Sequence, residues 1–99
     1  MNLRKYAQGN PCMIRLPGCS ANPEETVLCH YRDSSTGFGR KEPDLIGAWG
    51  CASCHAAVDG RRRVVDGNGE WTREAVQIAF QEAIFRTQRE LIKDNKIKW

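Results

Sequence analysis

Two short-range pairs of cysteines constrain this chain more than anything else in it. Cys12 and Cys19 bracket a Pro17-Gly18 turn, and Cys51 and Cys54 form a C-x-x-C run followed at once by His55. Two intervening residues let both sulfurs face a common centre. Two such hooks, far apart in sequence, supply the four thiolates of a closed tetrahedral zinc site. Zinc held this way fixes the fold and leaves His30 and His55 for chemistry. A disulfide framework is the rival use of the same residues. Against it stand the odd count of five and an N-terminus, MNLRKYAQGN, with no apolar signal-peptide core. Both fit a reducing, cytoplasmic setting. A thioredoxin-like redox pair would want a βαβ context the chain does not show, and would leave Cys12 and Cys19 unexplained. The fifth cysteine, Cys29, reads as a small buried hydrophobe.

Ninety-nine residues make one domain, 1–99. A chain this short buries a modest share of its surface, and three Trp, two Tyr and three Phe make a thin core. A metal cross-link suits such a chain, because metal-binding free energy becomes folding free energy. No apolar run approaches the roughly 20 residues that span a bilayer, so no membrane partner is expected. Net charge is +3, and its placement says more than its size. Arg40 and Lys41 sit beside a glycine-rich loop, and Arg61, Arg62 and Arg63 follow the second hook. Clusters like these attract phosphates irrespective of base sequence, so the expected partner is a polyanion such as a nucleic acid. The loop S-S-T-G-F-G-R-K lacks the G-x-x-x-x-G-K-[ST] pattern and is no nucleotide P-loop.

Residues 11–20 form the first hook, and 26–31, TVLCHY, are rich in β-formers and predict a strand bearing His30. Residues 32–43 predict a loop. Residues 45–50 predict a second strand running into Cys51, and ASCHAAVD predicts a helix closed by Gly60 at its C′ position. An Asp66-Gly67-Asn68-Gly69 turn follows. The metal core thus spans about 11–60 and a packing helix about 72–93. Thr72 is the N-cap of that helix. Val76, Ala79, Phe80, Ala83, Ile84 and Leu91 form its apolar stripe, and Glu82–Arg86 and Arg86–Glu90 are spaced as i,i+4 ion pairs. A second row, Ile78, Phe85 and Ile92, means that the helix is buried on two sides or meets another chain, which would make a homodimer.

Hydrolysing a phosphodiester needs an activated water and something to absorb charge on the leaving oxygen. An imidazole titrates near pH ~6.5 and can take the water's proton. A divalent cation can stabilise the developing charge. His55 and Asp59 are i,i+4 on the second predicted helix and share one face, where they can bind one ion, or Asp59 can orient His55.

The order of strand with His30, long loop, strand, C-x-x-C and helix with His55 resembles the ββα-metal core of the His-Me finger (HNH) nucleases. The C-x6-C, L-x-H, P-D-L-I and C-x-S-C-H-x-x-x-D spacings look like the YbcO-like nucleases of lambdoid prophages. The resemblance covers most of residues 5–99, its motifs lying in 12–59. It implies a zinc-bound α+β fold of treble-clef type with a C-terminal amphipathic helix. It also implies a DNA endonuclease with His30 as general base and His55 as ligand of a catalytic Mg²⁺ or Mn²⁺. A phage-encoded RecA-dependent nuclease carries a similar domain, so a recombinase filament is an implied partner. The chain departs from the pattern in two places. Cys29 stands where many members have an acidic residue or histidine, and Ile46 replaces the asparagine that orients the base. Asp44, two residues earlier, can substitute for that asparagine, and Asp44 and Asp59 are both candidate carboxylate ligands. The alternative is a noncatalytic zinc-bound module that binds DNA or protein; it needs the four cysteines but not His30.

Overall fold

The computed structural model describes residues 2–31 and 44–97. The elements run α1 (Leu3–Ala7), β1 (Val27–His30), β2 (Gly47–Gly50), α2 (Ala52–Val58), β3 (Val65–Asp66), β4 (Gly69–Glu70) and α3 (Arg73–Lys93), with one 3₁₀ turn at Pro23–Glu25. The fold is a small mixed α+β one, as expected. β1 and β2 pair antiparallel, Val27 opposite Gly50 and His30 opposite Gly47. The ladder runs one bond further, where Tyr31 donates its N–H to the Ile46 carbonyl at 2.9 Å. His30 therefore stands at the end of the sheet that residues 44–46 enter.

β2 is buried along its whole length, and α3 packs over it. A buried strand must place its backbone groups somewhere. At Trp49 the carbonyl accepts from Met13 N–H at 2.7 Å and the N–H donates to Thr87 Oγ1 at 3.1 Å. The first metal hook and the long helix are thus tied to the same strand residue. Gly50 is needed for closeness: a Cβ there would lie 2.6 Å from Ile14 Cδ1 and 2.9 Å from Cys29 Sγ.

Cys51 caps α2, its sulfur accepting from Cys54 N–H at 3.4 Å. The helix ends as the sequence predicts. Gly60 adopts φ +80°, Gly60 N–H donates to the Ala57 carbonyl and Arg61 N–H to the Ala56 carbonyl, a complete Schellman closure. Thr72 Oγ1 accepts from Ala75 N–H and starts α3. At the far end Asn95, at φ +59°, closes α3 by the same motif, with Lys96 N–H donating to the Leu91 carbonyl at 2.8 Å.

The predicted stripe of α3 is buried at Val76, Phe80, Ala83, Ile84 and Leu91, with Ala79 half-buried. Thr87 completes it, fully buried. The predicted ion pairs of Arg86 with Glu82 and Glu90 do not form. Arg86 instead donates through Nε and a terminal nitrogen to the Met13 carbonyl at 3.1 and 2.7 Å. A charged donor on an inward-facing carbonyl outweighs an exposed i,i+4 pair worth roughly 0.3–0.5 kcal/mol. The predicted turn at Asp66–Gly69 is the β3–β4 hairpin, with Asp66 Oδ1 accepting from Asn68 N–H at 2.7 Å. Among the described residues, no helix is long and apolar enough to cross a membrane.

Candidate metal centre and histidine cleft

Cys12, Cys19, Cys51 and Cys54 come together. Their four sulfurs lie within 4.8 Å of one another, and all five cysteines of the chain are free thiols. Sulfurs of Cys19 and Cys51 are 3.7 Å apart, far beyond the roughly 2.05 Å of a disulfide. A tetrahedron with Zn–S bonds of about 2.3 Å has edges of about 3.8 Å, so this separation fits four thiolates around one ion. Cys54 donates its S–H to Cys12, which holds Cys12 well below the usual thiol range and pushes Cys54 well above it. The cluster can hold a metal ion. Cys29 is no part of it: its thiol is fully buried and burial pushes it up to about 12, the inert packing residue that its sequence context suggested.

The two hooks are stapled together around that centre. Ser53 Oγ donates to the Gly18 carbonyl at 2.8 Å, and Arg62 donates Nε to the Ser53 carbonyl at 3.1 Å. The Arg62 guanidinium packs against Gly18, where a Cβ would meet it at 2.9 Å. Arg62 is therefore turned into the metal hooks, whereas its neighbours Arg61 and Arg63 are 62% and 85% exposed. Three identical letters in sequence have two different structural roles.

His30 and His55 line one cleft of about 490 Å³, together with Asp59, Arg61, Arg73 and Gln77 over a floor of Leu28, Val58 and Phe80. β1 supplies His30, and α2 supplies His55 and Asp59 one turn apart. His55 Nε2 lies 3.3 Å from Asp59 Oδ2, and the same carboxylate oxygen takes a contact of 3.2 Å from Arg61. Both side chains are more than a third exposed and open to the cleft.

Asp44 is placed with His30 rather than with His55. Its Oδ1 lies 2.8 Å from His30 Nε2 and 3.1 Å from Arg4 Nε. The hydrogen bond from His30, with Arg4 beside it, holds the Asp44 carboxyl below its usual range. An ionised Asp44 only accepts, so the neutral ring must carry its proton on Nε2. That leaves the lone pair on Nδ1, which has no partner among the described residues. Arg4, at the start of the chain, gave no sequence signal for this role, because only the fold brings α1 beside residue 44.

The opposite wall of the cleft was also missed in the sequence. Arg73 donates to the carbonyls of Ala57 and Val58 at 3.2 and 2.6 Å, capping α2 from α3. With its amide oriented to accept, Gln77 braces the same guanidinium at 2.8 Å. No local pattern announces a helix cap supplied from another helix. Arg40 and Lys41 lie outside the described residues.

Residues 1–96 match the model of a protein family described as "Putative nuclease YbcO". "Putative nuclease YbcO" of Escherichia coli strain K12 and "Putative nuclease ybcO" of Enterobacteria phage 82 are each 39% identical to this chain over 99 residues, covering 98% of it and 97% of their own length. A solved chain described as "Structure of a putative bacteriophage protein from Escherichia coli str. K-12 substr. MG1655" aligns at 36% identity with a TM-score of 0.76, covering 95% of this chain and 100% of that one. With the fold, the cysteine cluster and near-complete coverage in agreement, this chain belongs to the YbcO family.

Proposed function

We propose that this chain is a metal-dependent DNA endonuclease with an HNH-type site in a single treble-clef-like domain, its four cysteines holding structural zinc. The observation that carries the reading is the convergence of His30, held in one tautomer by Asp44, and the His55–Asp59 pair on one cleft. The family description, a nuclease, agrees with it.

In this reading His30 is the general base. Asp44 fixes the ring through Nε2, and Nδ1 takes the proton of the attacking water. As the proton arrives, the Asp44 carboxylate faces an imidazolium and stabilises it. His55 and Asp59 fit a divalent cation: a nitrogen and a carboxylate oxygen on one helix face, exposed to a cleft where water and a phosphate complete the shell. Mg²⁺ or Mn²⁺ held there would supply Lewis-acid stabilisation of charge on the phosphate and leaving oxygen. Asp44, already engaged by His30 and Arg4, serves as the orienting residue and not as a ligand. Arg61 now neutralises Asp59 and stands ready to contact phosphate, with Arg63 further out. The basic residues, Arg40 and Lys41 included, recruit the polyanion.

A plasmid-nicking assay with Mg²⁺ or Mn²⁺ tests the assignment of the ion. His55→Ala and Asp59→Ala should each raise the metal concentration needed for half-maximal nicking, without changing bound zinc. Wild-type protein that binds DNA but nicks none with any divalent ion, even beside recombinase filaments, would make the chain a noncatalytic zinc-bound module.

A further inference from the structure

Helix α3 has two apolar faces, and among the described residues one of them is left exposed. Val76, Phe80, Ala83, Ile84, Thr87 and Leu91 are buried in the chain's own core. On the other side Ile78 and Phe85 are 56% and 59% exposed, and Ile92, half-buried, continues the row. Positions seven apart drift by only about 20° around a helix. At roughly 1.5 Å per residue, the three side chains form one line about 21 Å long. Leu45 and Ile46, also exposed, border this face, since Gln88 of α3 donates to the Leu45 carbonyl at 2.6 Å. Single apolar residues on a surface are ordinary, but three aligned at seven-residue spacing on one helix face, with Leu45 and Ile46 beside them, suit a helix partner.

The charges beside the row indicate its occupant. Glu74 and Glu82 flank the N-terminal half and Arg89 and Lys93 the C-terminal half, all four exposed. Among the described residues none of the four makes an ion pair within the chain. A helix acidic at one end and basic at the other is complementary to itself run in the opposite direction. A parallel copy would set like charges together, and a uniformly acidic or basic partner would suit only half of the face.

We propose that a second copy of this chain covers this face, the two α3 helices packed antiparallel about a two-fold axis beside Phe85. Such an interface is isologous. Phe85 meets the partner's Phe85, Ile78 lies against the partner's Ile92, and Glu82 faces the partner's Arg89. The inference does not depend on the chain being a nuclease, because the face lies on the side of α3 opposite the buried stripe and uses no residue of the cleft.

Sedimentation of the full chain tests it. The apparent mass should rise with concentration from 11.2 kDa toward twice that value. Phe85→Glu should stay monomeric, melting with the wild type at dilutions where both are monomers and below it where the wild type is dimeric. Glu82→Arg or Arg89→Glu alone should weaken association about tenfold or more, and the two together should restore it. Under oxidation, Phe85→Cys should cross-link to itself, while Ile78→Cys should cross-link to Ile92→Cys and not to itself. A wild-type monomer at every concentration, a dimer indifferent to Phe85→Glu, or self-linked Ile78→Cys would each overturn the proposal.

Discussion

At the scale of single residues, identical side chains part company. Arg61, Arg62 and Arg63 read in sequence as one basic run, yet Arg62 closes the metal hooks while Arg61 and Arg63 face solvent. Arg62→Ala should lower stability by about 1–3 kcal/mol, the scale of losing charged hydrogen bonds to inward-facing carbonyls, as read by a denaturant midpoint. Arg61→Ala should leave that midpoint in place and weaken DNA binding across all sequences. The cysteines were legible because their spacing is local and their chemistry restrictive. Asp44 was legible only as one of two candidate carboxylates, because its role depends on a strand register that no local pattern carries. Its lowered pKa gives a signed expectation. A carboxylate depressed in the folded state adds stability above its ordinary range, near pH ~4, and that stability disappears as pH falls through the lowered value. Asp44→Asn removes this component, so between pH ~5 and ~3 the variant should lose stability less steeply than the wild type in pH-dependent melts.

Helix ends and stripes were read well at the scale of elements. Thr72, Gly60 and the 3.6-residue repeat act within one or two turns, and each does what its type and position require. Polar contacts between elements were not read. Thr87 occupies a stripe position that a hydropathy pattern skips, yet it is fully buried and accepts from Trp49 N–H. Thr87→Val keeps the shape and leaves that buried N–H unpaired. It should cost about 1–3 kcal/mol, whereas Thr87→Ser should recover most of the loss; chemical denaturation of the three proteins checks this. Arg86 shows the same limit from the other side. Helical spacing offers it two glutamates, and the tertiary fold offers it the Met13 carbonyl, which it takes. Arg73 likewise caps a helix remote in sequence.

At the scale of the whole molecule, a small core is organised around a four-sulfur cluster, and a histidine cleft is built on the elements next to it. β1 bears His30, β2 runs into Cys51, and the helix that Cys51 caps presents His55 and Asp59. If zinc fills the cluster, Cys51→Ser should remove one bound Zn²⁺ per chain by elemental analysis and abolish the cooperative thermal transition. Binding to DNA should fall steeply with salt, as phosphate contacts demand. In the proposed function, catalysis resides in His30 and structure in the cysteines. Its most direct test is plasmid nicking in Mg²⁺ or Mn²⁺ by the wild type and by His30→Ala, with zinc content and melting temperature measured on the same samples. The nicking rate should be lower by roughly 10²-fold or more in the variant, with zinc and melting temperature unchanged. Equal nicking by the two proteins would contradict that role for His30.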